Sequence, residues 1–157
     1  MIIEERRTAL ADPAATMQLG ARLVRGMRGG MVFTLTGDLG TGKTTLVRGM
    51  LRALGWTGSV KSPTYTLVEH YLFSSLYFYH FDFYRLQDSS EWETGGFSEY
   101  FRADAICVIE WPERVSQFLP SVDLAIALDY ADAGRKVRLL ASSVAGSACL
   151  AGIPSHG

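Results

Sequence analysis

A run of glycine, lysine and threonine residues between positions 37 and 45 carries the clearest chemistry in the sequence. Residues 37–44 spell GDLGTGKT and match the pattern G-x-x-x-x-G-K-[ST] in full. In this pattern the backbone N–H groups surround a phosphate, the lysine reaches the β- and γ-phosphates, and the final hydroxyl ligates Mg²⁺. The residues predicted to hold nucleotide phosphates are Gly37, Asp38, Leu39, Gly40, Thr41, Gly42, Lys43, Thr44 and, at the α-phosphate, Thr45.

Two acidic residues, each at the end of an apolar run, are candidate metal-binding carboxylates. Glu110 follows the run 105–109, and Asp82 follows the run 76–81. A Mg·nucleotide site needs a carboxylate near the metal, usually at the end of a neighbouring strand. A solvated strand end for Glu110 and a structural pairing of Asp82 with Arg85 or His80 remain open as alternatives.

Two weaker signals lie close to these acids in the sequence. Residues 62–66 place three hydroxyl side chains around a proline, and a loop threonine such as Thr64 can sense a γ-phosphate in nucleotide switches. On its own this pattern is weak and favours a hydroxyl-rich turn over a switch. His80 lies in an apolar run, so a packed, hydrogen-bonded histidine is expected there rather than a catalytic one.

Hydrophobic patterning predicts the elements that position these residues. The short β-branched run 31–36 predicts a buried strand before the loop, and 43–54 predicts a helix ended by Gly55. Asp12 and Pro13 predict the start of an earlier helix. Further strands are predicted at 66–71, 76–82, 105–109, 122–130 and 135–141, and short helices near 88–91 and 97–101. The sequence therefore predicts an α/β fold: a P-loop NTPase-like mixed sheet flanked by helices, with a C-terminal β-hairpin.

Length and composition limit the possible classes of protein. The 157 residues favour one domain, predicted over 1–141, with a partly disordered C-terminal tail over 142–157. The net charge of −1 argues against a strongly electrostatic nucleic-acid binder. Charges near the N-terminus and the lack of a long apolar stretch predict a cytoplasmic chain without a membrane span. No asparagine is present, which excludes an N-K-x-D guanine motif, whereas a small-molecule kinase stays open.

Five sequence strings together resemble one known family. They are GDLGTGKTT (37–45), SPTYTLVEHY (62–71), HFDFYRL (80–86), GFSEYF (96–101) and VIEWPER (108–114). The combination strongly resembles the bacterial TsaE family, formerly called YjeE, over about residues 8–140. The phosphate loop alone is shared by many proteins, but the second, third and fifth strings are specific when they occur together.

The resemblance implies an ATPase needed for making threonylcarbamoyladenosine in tRNA. It implies two protein partners: TsaD, which transfers the threonylcarbamoyl group, and TsaB. ATP hydrolysis would keep that pair turning over, with tRNA contacted only indirectly, and the near-neutral charge suits a protein partner. The alternatives are a small-molecule kinase and a nucleotide-binding switch module that does not hydrolyse ATP.

The resemblance also implies roles for individual residues. Lys43, Asp82 and Glu110 would be catalytic, and Thr44, Glu110 and Asp82 would hold Mg²⁺. Asp82 would lie near the metal or activate water, and Thr64 would lie in a switch-like loop. The adenine is implied near the first helix and the late hairpin, at Pro13, Thr16, Gly134 and Arg135.

Overall fold

A seven-stranded mixed sheet forms the centre of the structure, a computed structural model that describes residues 1–155. Its strands are β1 (Glu4–Leu10), β2 (Val32–Thr36), β3 (Val68–Leu72), β4 (Tyr77–Asp82), β5 (Ala105–Glu110), β6 (Leu124–Tyr130) and β7 (Arg135–Ala141). The helices are α1 (Pro13–Val24), α2 (Lys43–Leu54), α3 (Ser90–Thr94) and α4 (Val144–Ala148). The strand order is β1-β7-β6-β2-β5-β4-β3. The predicted α/β fold with a mixed sheet and a late hairpin is confirmed.

The central strands are parallel, which brings their carboxyl ends to one edge of the sheet. β2 pairs in parallel with both β5 and β6, and β5 pairs in parallel with β4. In this register Glu110 lies beside Leu35 of β2 and beside Asp82 of β4. The loop that follows β2 therefore starts next to Glu110, with Asp82 one strand further along the same edge, as expected for a ligand site at the carboxyl ends of strands.

Each face of the sheet has its own apolar core. The first core joins α1, α2 and the residues near α4 to the sheet, and the second is built largely from aromatic side chains around Trp92 and Phe97. Side chains alternate between the faces along a strand. Phe78 belongs to the first core and Tyr79 and Phe81 to the second, so alternation places His80 on the α2 side.

Helices α1 and α2 contact each other through two glycines. A Cβ added to Gly20 would lie 2.5 Å from Leu46 O, and one added to Gly49 would overlap the backbone of Met17. Larger side chains would therefore force the helices apart. The close approach places Thr16 of α1 next to Gly42, at the start of α2.

The structure differs from the sequence predictions at both ends of the chain. The charged N-terminal segment gave no strand prediction, yet residues 4–10 form β1 and pair with β7. Residues 144–148 of the predicted tail form α4, and Leu150 and Ile153 are buried. Residues 142–155 thus pack on the domain, while 156 and 157 lie outside the described residues. In the described range no helix is long and apolar enough to cross a membrane.

Candidate functional site

The loop between β2 and α2 has the backbone of an anion-binding turn. Gly37, Gly40 and Gly42 all have positive φ, and Gly42, with φ of 109°, directly precedes the first residue of α2. A residue with a Cβ rarely adopts this conformation. No side chain caps the N-terminus of α2, so its first N–H groups stay open to a ligand. A helix N-terminus of this kind favours a phosphate.

Lys43 is buried between the loop and the adjacent strand. Its Nζ donates a hydrogen bond to Gly37 O, at 2.6 Å, and lies 3.5 Å from Glu110 Oε1. The ring of Trp111 lies 5.0 Å from the same atom. The lysine charge is thus held where the loop, β5 and the following turn meet.

Glu110 ends β5 and is almost fully buried. Burial on its own would raise the pKa of Glu110, but the hydrogen bond from His80 and the charges of His80 and Lys43 lower that pKa below its usual value. Glu110 is therefore an ionised carboxylate, and His80 Nε2 donates to Glu110 Oε2 at 2.6 Å. This contact agrees with the prediction that His80 is a packed, hydrogen-bonded residue.

Asp82 lies in the strand next to Glu110, but its environment has the opposite effect. Burial raises the pKa of Asp82, and the charge of Glu110 adds to the rise. Its Oδ1 accepts a hydrogen bond from the N–H of Tyr84, at 2.9 Å. The alternative pairing with Arg85 is not formed, because the Arg85 guanidinium lies over the ring of Tyr65, 4.4 Å from its centroid.

The oxygen donors at this edge of the sheet suit Mg²⁺. The described residues contain no cluster of three or more His, Cys, Asp or Glu side chains that could hold a metal. Mg²⁺ in nucleotide sites needs only one or two carboxylates, completed by phosphate oxygens and water. Glu110 and Asp82 are adjacent in the sheet, and Thr44 follows Lys43, whose Nζ lies 3.5 Å from Glu110, in the first turn of α2. These three residues could hold the ion.

A cavity of about 300 Å³ lies on the other side of the phosphate loop. It is lined by Leu10, Ala11, Asp12, Pro13, Thr16, Gly40, Thr41, Gly42, Thr45, Gly134 and Arg135. The four residues predicted near the adenine thus line one cavity together with part of the loop. A smaller cavity of about 140 Å³ lies beside Lys43, between Gly37, Asp38 and Trp111.

Thr64 is the predicted site residue that the structure does not bring to the loop. It lines neither cavity, and its hydroxyl is 2.7 Å from the hydroxyl of Ser62. The neighbouring Tyr65 is 80% exposed. A switch role for this segment stays a prediction.

Two aromatic residues contact the site, although the sequence predicts no role for Tyr130 and favours a core position over a nucleotide contact for Trp111. Trp111 has a positive φ of 57°, unusual for a bulky residue, and packs on Tyr84 with ring centroids 4.8 Å apart. Tyr130, at the end of β6, donates a hydrogen bond to Leu39 O in the loop. The position of Trp111 directly after Glu110 was a usable signal, whereas nothing in the sequence linked Tyr130 to the loop.

Comparison with known proteins decides the family. A family model described as "Threonylcarbamoyl adenosine biosynthesis protein TsaE" matches residues 10–137. The chain belongs to the TsaE family.

Individual TsaE relatives agree with this assignment. The chain is 51% identical over 109 residues to the tRNA threonylcarbamoyladenosine biosynthesis protein TsaE of Haemophilus influenzae, covering 69% of each protein. It is 38% identical over 117 residues to the protein of the same name from Bacillus subtilis, covering 74% of this chain and 73% of that protein. The crystal structure of Bacillus subtilis YdiB matches with a TM-score of 0.80 and 27% identity, over 95% of this chain and 93% of that one.

Membership of TsaE places the chain in tRNA threonylcarbamoyladenosine biosynthesis. The matched range 10–137 starts at the end of β1 and reaches into β7, so it includes the phosphate loop, both carboxylates and all residues that line the larger cavity. The site described above therefore lies within the part of the chain that defines the family.

Proposed function

We propose that the chain is a Mg²⁺-dependent ATPase that binds the TsaD–TsaB pair and couples ATP hydrolysis to its turnover in the cytoplasm. The observation that carries the ATPase part is the 3.5 Å contact between Lys43 Nζ and the buried carboxylate of Glu110. A phosphate-loop lysine and a carboxylate from a neighbouring strand are the two parts that phosphate-loop ATPases use around the γ-phosphate and its metal.

The two cavities suggest how ATP lies across the loop. The adenine fits the larger cavity, at Pro13, Thr16, Gly134 and Arg135. The α-phosphate lies near Thr45, and the β- and γ-phosphates lie against the N–H groups of the loop and Lys43. Bound Mg²⁺, held by Thr44, Glu110 and Asp82, would neutralise charge on the phosphates.

Several contacts of the site are ready to change when a phosphate arrives. Lys43 Nζ donates to Gly37 O, a neutral acceptor that a phosphate oxygen can replace with a stronger, charged one. Glu110 also contacts His80, and this contact does not involve Lys43, so the carboxylate stays oriented when the lysine turns toward the phosphate. The chain therefore orients the carboxylate independently of the lysine.

The isolated chain is expected to hydrolyse ATP slowly. Arg135, the arginine that lines the larger cavity, donates hydrogen bonds to the carbonyls of Gly40 and Thr41, so its guanidinium is already engaged by the loop. An arginine supplied by a partner can raise the rate by about 10³–10⁵-fold. We therefore expect TsaD–TsaB to stimulate phosphate release, with the segment around Thr64 ordered by the γ-phosphate.

Two substitutions test the ATPase assignment. Lys43→Ala should weaken ATP binding, because it removes the cation that meets the phosphates. Glu110→Ala should keep binding while lowering phosphate release by about 10²-fold or more. Calorimetry measures the first effect and a phosphate-release assay the second, with Glu93→Ala, an exposed glutamate of α3, as the control. Unchanged turnover in Glu110→Ala contradicts the role of this carboxylate.

Alternative functions give different results in the same assays. A small-molecule kinase consumes ATP but transfers phosphate to an acceptor instead of water. A switch module binds ATP without releasing phosphate, with or without partners. Pull-down of TsaD and TsaB by the tagged chain, with ATP, with ADP and without nucleotide, tests the partner assignment; no binding in any state contradicts it.

A further inference from the structure

The β6–β7 hairpin contacts the phosphate loop at three successive backbone carbonyls. The hydroxyl of Tyr130 donates to Leu39 O. The guanidinium of Arg135 donates from Nη2 to Gly40 O, at 3.0 Å, and from Nε to Thr41 O, at 3.2 Å. The guanidinium also lies over the ring of Tyr130, 4.8 Å from its centroid. Two residues of one hairpin thus satisfy three acceptors in a row.

These carbonyls matter because each one fixes the direction of the next N–H group. A peptide unit is planar and trans, so a carbonyl held away from the ligand points the following N–H toward it. Holding Leu39 O outward therefore directs the Gly40 N–H inward, and holding Thr41 O outward directs the Gly42 N–H inward. Among the described residues the N–H of Gly40 makes no hydrogen bond, so it is available to an anion.

The glycines of the loop are the reason that its peptide units need to be held in one orientation. The flexible backbone of Gly40 and Gly42 lets the loop surround a phosphate, but it also lets the peptide units rotate when nothing is bound. A carbonyl that turned inward would repel phosphate oxygens. Donors on a rigid neighbouring hairpin remove this freedom before the ligand arrives.

We propose that Tyr130 and Arg135 are positioning residues that hold the phosphate loop ready for the diphosphate part of a nucleotide. The inference rests on the proposed nucleotide-binding function and adds to it. Tyr130 does not line the cavity that fits the base, so its hydroxyl acts through the loop carbonyl. Arg135 lines that cavity and also contacts the loop, so Tyr130 gives the cleaner test.

The test uses Tyr130→Phe, which removes the hydroxyl and keeps the ring beneath Arg135. Without the hydroxyl, ADP should bind on the order of fivefold more weakly, as expected for one lost hydrogen bond, while adenosine affinity stays the same. Tyr77→Phe is the matched control, because Tyr77 also carries an arginine over its ring, Arg102 at 4.5 Å, but lies at the start of β4. Arg135→Lys leaves one amine to serve the two carbonyls that the guanidinium reaches. It should therefore also weaken the binding of ADP more than the binding of adenosine.

Hydrogen exchange without nucleotide tests the same idea independently. Tyr130→Phe should speed amide exchange across 38–42 and leave exchange in α2 unchanged. Unchanged exchange, unchanged ADP affinity, or an equal loss for ADP and adenosine each overturns the positioning role. Failure of the unmodified chain to bind ADP overturns the proposed function instead, and the exchange measurement still decides whether the hairpin orders the loop.

Discussion

Glu110 and Asp82, neighbouring carboxylates at the ends of parallel strands, have pKa values shifted in opposite directions because their partners differ. Glu110 has a histidine and a lysine within reach, and its pKa is lowered although burial opposes the change. Asp82 has one backbone N–H as its hydrogen-bond partner, and burial raises its pKa. A cation placed between them would favour the ionised form of both. The nucleotide-free protein therefore carries an unfavourable carboxylate where Mg²⁺ is expected.

Asp82→Asn should stabilise the protein without nucleotide or metal. Asparagine keeps the Oδ1 that accepts from Tyr84 and removes the desolvated charge, so the free energy of unfolding at pH 7 should rise on the order of 1 kcal/mol. The folded pKa of Asp82 lies above its unfolded value. The wild-type residue therefore begins to destabilise the folded state as the pH rises from the unfolded pKa to the folded pKa. The gain should therefore disappear at pH values below the unfolded pKa.

Urea unfolding in EDTA, at pH 7 and in acid, measures this difference. Asp132→Asn serves as the control, because Asp132 is exposed and its neutralisation should change little. A loss of stability in Asp82→Asn at pH 7 would show that the folded state gains from the Asp82 charge, in conflict with the raised pKa.

At the scale of elements, the contact between α1 and α2 determines the shape of the larger cavity. Thr16 and Pro13 belong to α1, while Gly42 and Thr45 belong to the loop and α2, so the cavity exists only while the two helices stay close. Gly49 is one of the two glycines that permit this approach. Its role is steric, since the backbone of α1 occupies the space that a side chain would need.

Gly49→Ala should separate the helices and damage the cavity. Overpacking of this kind costs about 1–3 kcal/mol of stability, and ADP affinity should fall with it because the base loses part of its contact. Thermal unfolding and calorimetry measure the two effects. Gly152→Ala is the control, since a Cβ there would meet only the end of Arg25 at 3.9 Å. Unchanged ADP affinity in a folded Gly49→Ala protein would contradict the base position.

Local patterns in the sequence were sufficient for the elements that carry the site. The loop, the limits of α2 and the strands that end at Asp82 and Glu110 are each signalled by adjacent residues. β1 was missed because its alternating charged residues look solvated until β7 is beside them. The contacts of Tyr130 with the loop join residues 91 positions apart, and no local pattern reports such a contact.

At the scale of the molecule, the C-terminal segment joins the N-terminal strand to the first core. Leu150 and Ile153 are buried in that core. Arg6 of β1 donates from Nη1 to Leu150 O, at 3.1 Å, and to Ile153 O, at 2.6 Å. The segment therefore supports an edge of the sheet, although its small residues gave no helix prediction.

Truncation after Ala141 should lower stability substantially. The two buried aliphatic side chains alone contribute about 1.5–3 kcal/mol each, and Arg6 would lose its acceptors. Truncation after Ile153 keeps both buried side chains and both acceptors of Arg6, and should change little because Pro154 and Ser155 are exposed. Urea unfolding of both truncations measures the difference; equal stability would show that the segment does not contribute to the fold.

The ammonium group of Lys43 over Trp111 makes the fluorescence of this tryptophan sensitive to the state of the site. Lys43 Nζ lies 5.0 Å from the indole, and the other two tryptophans, Trp56 and Trp92, pack in the separate aromatic groupings of the two faces. When a phosphate draws the ammonium group away, the local electric field at one indole changes and the other two keep theirs. Intrinsic emission of the unlabelled chain should therefore follow nucleotide occupancy.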